Sequence, residues 1–213
     1  MGKIINGQKL VVNFNPVISS ESEEWRDYLD SFDAGAGNES FTEFLKNREY
    51  EEFIEDGDGV TYVIKNINGI NGDGTDLIGY FTLAVNAIPY ISRIRDDRNP
   101  ENVDEETCGI PVLEIKLFAV NESYQDHYCL IDGAEFPIAA VCLLFIIGYA
   151  NELIEKTAGF KALFLHSVPQ AENFYMRNGF KKIEHFMKPL HGIDSDYTPL
   201  WMPLRPVTMS YDE

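Results

Sequence analysis

The stretch AENFYMRNGF, residues 171–180, decides how the C-terminal part of the chain folds. Its Asn178–Gly179 pair ends a helix, because glycine readily adopts the left-handed conformation found at helix ends. Phe180 then opens an apolar stretch typical of a strand. Phe174 and Tyr175 precede this break and point in directions about 100° apart around the helix axis. Because the two rings cannot share one environment, we expect Phe174 to enter the core and Tyr175 to serve another purpose.

The rest of the chain alternates between helical and strand periodicity on both sides of this stretch. The predicted strands are 9–14, 59–67, 76–88, 111–121, 160–168, 180–187 and 198–204. The predicted helices are 19–32, 39–55, 135–157 and 169–178. The segment 89–110 is polar and aperiodic, which indicates an insertion or a long loop on the surface.

This order of elements predicts one α/β domain that covers residues 1–213. The early strands follow one another through short turns, so they should pair antiparallel. Strands 111–121 and 160–168 are joined by a helix, so they should be parallel. We therefore expect a central mixed, mostly antiparallel sheet of about seven strands, with helices on both faces.

The composition limits which binding partners and which cellular compartment we expect. The 213 residues carry a formal net charge of −18, from 35 acidic and 17 basic side chains. Nucleic-acid backbones and anionic membranes select basic surfaces, so we expect neither partner. The longest apolar run, 137–150, is too short to span a bilayer and predicts a buried helix. Three cysteines without paired spacing, and no apolar leader, predict a reducing, cytoplasmic location.

The common metal and nucleotide motifs are missing from the sequence. The four histidines include no i,i+4 pair and no H-E-x-x-H motif. The acidic, glycine-rich segments 55–59 and 68–76 do not have the spacing of a calcium loop and are typical of turns. A Walker loop, a G-x-S-x-G motif and a Rossmann fingerprint are also absent. We therefore expect no metal site.

The stretch 171–180 resembles the A-x-x-F-Y-x-x-x-G-F signature of the GNAT superfamily, the acetyl-CoA-dependent N-acetyltransferases. LEIKLFAVN, residues 113–121, is similar to the GNAT strand that pairs with acetyl-CoA. The order of strands and helices matches the family over about residues 9–204. The resemblance implies a GNAT-type fold, acetyl-CoA as cosubstrate, and transfer of its acetyl group to a primary amine of a small molecule or a protein.

The resemblance also implies roles for individual residues. Tyr175 would protonate the departing CoA thiolate, since a free phenol has a pKa of about 10 and a thiol about 8.5. Glu114 would act as the base that deprotonates the amine, although it could equally pair with Lys116 on the same strand face. Asn173 would bind the pantetheine arm or face water. The residues whose backbone would pair with pantetheine are Phe118, Ala119 and Val120.

One segment departs from the family pattern. The phosphate loop of the family reads [RQ]-x-x-G-x-[GA], but Gln125 is followed by Tyr128 and Leu130 where glycines belong. The pair Gly133–Ala134 comes only just before the long predicted helix. Either the loop is longer and closes through Gly133 and Ala134 at the helix N-terminus, or the pyrophosphate site is lost.

In the second case the protein would be a catalytically inactive binding or regulatory module with a GNAT fold. A third hypothesis, a toxin-like acyltransferase that acts on charged tRNA, is disfavoured by the net charge. A homodimer is one option for its assembly.

We predict that the protein binds acetyl-CoA, with the pyrophosphate close to residues 125–138. Calorimetry and thermal shift with acetyl-CoA at up to millimolar concentration should show heat of binding and a raised melting temperature, because a ligand that binds only the folded state stabilises it. Neither heat nor stabilisation at that concentration would favour the inactive module.

Overall fold

The computed structural model describes residues 4–6, 10–16, 22–66, 76–96, 99–184, 187 and 196–205. The helices are α1 (Ser22–Asp30), α2 (Glu39–Lys46), α3 (Glu49–Glu55), α4 (Glu122–Gln125), α5 (Ile138–Lys156) and α6 (Pro169–Arg177). The strands are β1 (Ile4–Asn6), β2 (Leu10–Pro16), β3 (Val60–Asn66), β4 (Asp76–Asp96), β5 (Asn99–Val120), β6 (Tyr128–Ile131), β7 (Ala134–Pro137), β8 (Ala162–Ser167), β9 (Lys181–Lys182) and β10 (Thr198–Pro203).

The strands form two sheets. Seven strands are hydrogen-bonded in the order β2-β3-β4-β5-β8-β10-β9, and three short strands in the order β1-β6-β7. In the large sheet, β3 pairs antiparallel with β2 and β4, and β10 pairs antiparallel with β8 and β9. β5 and β8 are parallel, as expected for strands joined by a helix. The predicted mixed, mostly antiparallel sheet of about seven strands is confirmed.

The chain divides into two compact units. The first unit contains residues 1–84 and 115–149, and the second contains residues 85–114 and 150–213. Strands β4 and β5 and helix α5 each begin in one unit and end in the other. A single functional domain over residues 1–213 stays a prediction.

The first unit has helices on both faces of its strands. Helices α1, α2 and α3 bury an apolar cluster against the strands, and its members are Leu29, Phe32, Ala34, Phe44, Leu45, Tyr50, Val63, Leu77, Tyr80 and Ala119. Tyr62 is the neighbour of Val63, so its side chain points to the opposite face of β3. There the ring of Tyr62 lies 5.3 Å from the ring of Tyr149 on α5.

The second unit has its own apolar cluster. Its members are Ile88, Ile110, Val112, Ala162, Phe164, Met187 and Trp201. Val112 and Ala162 are partners in the parallel pairing of β5 with β8, and Phe164 and Trp201 are partners in the antiparallel pairing of β8 with β10. Because residues two apart share a strand face, the residues that follow this cluster along β5 and β8 point to the same side of the sheet.

The segment 89–110 is not the surface loop that its polarity predicted. Its residues belong to the second half of β4 and the first half of β5, except residues 97 and 98, which lie outside the described residues. The prediction was wrong because sheet pairing satisfies backbone groups whatever the side chains are. A polar side-chain pattern therefore does not exclude a strand.

Two further elements differ from their predicted bounds. The helix predicted at 39–55 is interrupted at Arg48, whose φ of 61° is left-handed and cannot continue a right-handed helix. The strand predicted at 180–187 is reduced to β9, with Met187 making an isolated antiparallel bridge to Tyr90. Residues 185 and 186 lie outside the described residues.

Helix α5 begins three residues later than predicted, because residues 134–137 pair as strand β7. By length and composition alone it could cross a membrane, with a mean hydropathy of 1.8 over 18 residues. Several of its side chains are buried in the protein, among them Cys142, Leu143 and Ile146. A core helix of a soluble protein passes the same test, so the composition of α5 is weak evidence for a membrane.

Gly79 lies where the backbones of β4 and β5 come close together in the first unit. A Cβ atom at Gly79 would lie 2.3 Å from the carbonyl oxygen of Ala119 and 3.2 Å from Cα of Val120. Backbone atoms cannot move aside cheaply, so Gly79→Ala should lower the free energy of unfolding by roughly 3 kcal/mol in urea titrations.

The control is Gly148→Ala on α5, where a Cβ would meet nothing within 4 Å. This variant should be stabilised by about 0.5–1 kcal/mol, because alanine favours a helix over glycine. Equal stability of the two variants would contradict the close approach at Gly79.

Candidate active site

The end of β5 leads into a short capped helix rather than a glycine-rich loop. Asn121 is the N-cap of α4, and its side-chain oxygen accepts a hydrogen bond from the backbone N–H of Ser123 at 3.1 Å. Gln125 closes the same helix and donates through Nε2 to the carbonyl oxygens of Ala34 and Val120, both at 2.9 Å. An amide has two N–H donors, and both are used here. The side-chain N–H groups of Gln125 are thus engaged within the protein, and binding of the pyrophosphate by Gln125 stays a prediction that the side chain does not support.

Gly133 and Ala134 lie in a hairpin rather than at the start of the long helix. Strands β6 and β7 pair antiparallel, with Ile131 opposite Ala134. Asp132 and Gly133 form the two-residue turn with φ of 50° and 82°, the positive values that a type I′ turn requires. The Asp-Gly dipeptide is itself a strong hairpin signal, so the sequence could have predicted this turn. Gly133 and Ala134 therefore do not form the helix N-terminus that we expected, and their binding of the pyrophosphate stays a prediction.

Helix α5 starts directly after this hairpin. Its first residue, Ile138, donates its backbone N–H to the carbonyl of His127 at 3.0 Å. The N–H groups of the following residues in the first turn have no partner within the helix, because the helical ladder begins one turn later. The N-terminus of α5 is thus the part of the segment 125–138 whose geometry fits an anion.

The backbone at 118–120 lies at the C-terminal end of β5, in the first unit. The next residue, Asn121, donates its N–H to the carbonyl of Ile78 at 2.7 Å, which anchors the strand end to β4. The described pairing of β5 with β8 covers residues 112–114 and ends at Glu114. Binding of pantetheine by Phe118, Ala119 and Val120 stays a prediction.

A row of polar side chains crosses three strands of the second unit. Glu114 on β5 is buried, with 7% of its surface exposed. Its Oε2 accepts a hydrogen bond from Nδ2 of Asn86 on β4 at 2.8 Å. Its Oε1 lies 3.3 Å from Nδ1 of His166 on β8. Sequence reasoning singled out Glu114 but assigned no role to Asn86 or His166, because only the strand pairing brings them together.

Tyr175 and Phe174 have exchanged the environments that we expected. Tyr175 is buried, whereas Phe174 is only half-buried. The Tyr175 ring contacts Phe174 and Phe180, with ring centroids 5.1 and 5.6 Å apart. Its hydroxyl makes no hydrogen bond within the described part of the chain. Burial raises the pKa of Tyr175, so the phenol keeps its proton at physiological pH.

The other polar side chains considered for the site are either exposed or deeply buried. Asn173 on α6 is exposed, which agrees with the alternative that it faces water. Cys129 and Cys142 are buried, and burial raises the pKa of the Cys142 thiol to about 12. A thiol with so high a pKa is a poor nucleophile at neutral pH. Among the described residues, no group of three His, Cys, Asp or Glu side chains is placed to hold a metal ion.

Solved structures with a similar fold include bacterial toxins. A bacterial toxin matches with a TM-score of 0.59 and 16% identity, covering 91% of this chain and 90% of that chain. AtaTR bound with acetyl-CoA matches with a TM-score of 0.59 and 17% identity, covering 92% and 94%. A tyrosine-to-phenylalanine mutant of KacT matches with a TM-score of 0.57 and 17% identity, covering 92% and 95%.

No protein-family profile and no characterised protein sequence matches this chain. The structural matches nevertheless cover nearly the whole chain. The chain therefore has the GNAT fold, as the resemblance implied.

The expectation of no nucleic-acid partner is contradicted. Proteins of the same fold include AtaT complexed with acetyl-methionyl-tRNA and a KacTA–DNA complex. The expectation failed because a net charge sums the whole chain, whereas phosphate contacts depend on local charge. Residues 156–205 contain seven Lys and Arg against four Asp and Glu, a net charge of +3 in a chain of −18.

Tyr175→Phe tests the role of the phenol. Turnover should fall on the order of 10²-fold, the usual loss when a general acid is removed. The melting temperature and acetyl-CoA affinity should stay unchanged, because the hydroxyl has no described hydrogen bond. Turnover is followed as release of the CoA thiol in the presence of a primary amine.

The control is Tyr80→Phe, which removes a buried hydroxyl that donates to the carbonyl of Phe41 at 2.9 Å. It should cost about 1 kcal/mol of stability and leave turnover unchanged. Unchanged turnover in Tyr175→Phe would make Tyr175 a packing residue.

Proposed function

We propose that the protein is an N-acetyltransferase that transfers the acetyl group of acetyl-CoA to a primary amine. The observation that carries this proposal is a set of groups on the paired strands β5 and β8 and on helix α6, which follows β8. The pair of Glu114 and His166 can take a proton, and the Tyr175 phenol can give one. The same fold is found in AtaTR bound with acetyl-CoA, which supports the proposed cosubstrate.

Binding of acetyl-CoA would rest on the strand end and a helix start in the first unit. The backbone of residues 118–120 would pair with the pantetheine amides as an added strand does. The N-terminus of α5 would receive the pyrophosphate, because the first-turn N–H groups after Ile138 have no partner within the helix and the helix dipole favours an anion. Gln125, Gly133 and Ala134 have no part in this assignment. The exposed Asn173 would contact the pantetheine only by donating a hydrogen bond from the surface of α6.

The reaction needs a base for the ammonium and an acid for the thiolate. The proton of the ammonium would go to the Glu114–His166 pair, and the neutral amine would attack the thioester carbon. Tyr175 would protonate the sulfur as the C–S bond breaks. Because its raised pKa makes this transfer unfavourable before cleavage, donation should coincide with the breaking of the bond.

The acceptor that we place first is the α-amino group of an aminoacyl-tRNA. AtaT is found complexed with acetyl-methionyl-tRNA, the product of such a transfer. The basic tract 156–205 offers this chain local positive charge for phosphates; Arg177 and Lys181 in it are exposed, whereas Lys182 is paired with Glu172 at 2.8 Å. A small-molecule or protein amine is the alternative acceptor.

We place the protein in the cytoplasm, where its three cysteines stay free thiols.

A second candidate function is an inactive module with a GNAT fold. The capped helix α4 and the hairpin β6–β7 stand where the family has its glycine loop, and the N–H groups of Gln125 are engaged within the protein. A module of this kind would bind a partner without turning over acetyl-CoA.

The test is transfer of radiolabelled acetyl from acetyl-CoA to bulk tRNA charged with amino acids, methionine included. Label should enter charged tRNA and not the uncharged control, and transfer should fall with rising salt, because phosphate contacts release counterions. Spermidine and a lysine-containing peptide are assayed in parallel.

Label in spermidine or the peptide alone would keep the transferase and overturn the tRNA acceptor. If no acceptor were labelled and acetyl-CoA did not bind, the inactive module would be the favoured function.

A further inference from the structure

The two ring nitrogens of His166 lie in different surroundings. Nδ1 is 3.3 Å from Oε1 of Glu114. Nε2 is buried and has no hydrogen-bond partner in the part of the chain that the structure describes. The side chain as a whole keeps 20% of its surface exposed. A buried, unpaired ring nitrogen is unfavourable unless a ligand or a water molecule pairs with it.

Glu114 determines which nitrogen carries the proton. An ionised carboxylate only accepts hydrogen bonds, so it favours a proton on the nitrogen that faces it, Nδ1. The carboxylate itself is held on its other side, where Oε2 accepts from Asn86. A neutral imidazole with its proton on Nδ1 has its lone pair on Nε2. The geometry thus directs the basic nitrogen of His166 away from Glu114.

The ring of His166 is held in place by packing. The ring of Phe164 contacts it edge to face, with centroids 4.7 Å apart and planes at 87°. Phe164 is opposite Glu114 in the parallel pairing of β5 with β8, and His166 follows two residues later on the same face. On the other edge of β8, His166 is opposite Pro199 of β10. A base needs such a fixed orientation to accept a proton efficiently.

We propose that His166 is the catalytic base of the acetyl transfer, with Glu114 and Asn86 as positioning residues. This inference rests on the proposed function. It assigns the proton to His166 within the Glu114–His166 pair, whereas the sequence had predicted Glu114 as the base. Histidine suits the task better, since its ordinary pKa lies near neutrality and that of a carboxyl lies well below. In many enzymes the catalytic base is oriented by a neighbouring polar side chain, and Glu114 would orient His166 in this way.

The proton balance of the step is complete. The ammonium gives one proton to Nε2 of His166, directly or through one water. The amine nitrogen forms the C–N bond, the C–S bond breaks, and the thiolate takes the proton of Tyr175. The nitrogen loses its second proton as it becomes an amide, which restores the phenol. His166 then releases its proton to solvent, so one amide, one thiol and one proton leave the enzyme.

The test compares three variants in the transfer assay with acetyl-CoA and charged tRNA, or with spermidine or the peptide if that is the acceptor used. His166→Asn keeps an amide near the position of Nδ1 and removes the basic nitrogen. It should lower turnover on the order of 10²-fold at unchanged acetyl-CoA affinity. Glu114→Gln should lower turnover through loss of orientation, and the double variant should be no slower than His166→Asn alone, because the residues act as a unit.

Rescue separates a catalytic base from a structural residue. Added imidazole should restore part of the turnover of His166→Ala, and it should not rescue Tyr175→Phe. Nitrogen NMR of the full-length protein with labelled histidine should show that the neutral form of His166 carries its proton on Nδ1. Its signals are assigned by their loss in His166→Asn.

Two results would overturn the assignment. Turnover retained in His166→Asn and lost in Glu114→Gln would make Glu114 the base. A neutral His166 with its proton on Nε2 would have its basic lone pair on Nδ1, which faces Glu114, and not on the nitrogen that the proposal needs. If instead the unmodified protein transferred acetyl to none of the three acceptors, the proposed function itself would fail, and the role of His166 with it.

Discussion

The pairing of β5 with β8 is the constraint on which the candidate site depends. It joins only Val112, Leu113 and Glu114 to their partners on β8, yet it determines where the polar groups meet. Because Glu114 is opposite Phe164, His166 comes two residues later on the same face. A shift of the register by one residue would place His166 on the face of the sheet opposite to Glu114. Helix α6, with Tyr175, then begins two residues after the end of β8.

The sequence predicted those elements whose signals are local. The strand at 160–168 and the helix at 169–178 are present almost as predicted, since apolar periodicity, a proline at the helix start and a glycine at its end act within a few residues. The long strands through 89–110 could not be predicted in this way. Their side chains are polar, and the pairing partners that stabilise them are distant in the sequence.

The site was predicted in part for the same reason. Tyr175 and Glu114 are found from a local motif and a strand pattern. His166 and Asn86 have no local signal, because their relation to Glu114 exists only after three strands pair. The exchange of Phe174 and Tyr175 shows a limit of reasoning from helical angle alone. The angle shows that two neighbours differ in environment, but the neighbouring strands decide which one is buried.

The hairpin of β6 and β7 bears on how relatives of this chain can be recognised. A glycine-rich loop is the most regular part of a family signature, because its glycines are required by close backbone approach to a phosphate. Here a hairpin closed by Asp132 and Gly133 stands in that position. Sequence comparisons that weight the loop will therefore score such chains poorly, although their sheets superpose. Chains that share this replacement would be detected instead by an Asp-Gly turn between the strand that corresponds to β5 and the long apolar helix that corresponds to α5.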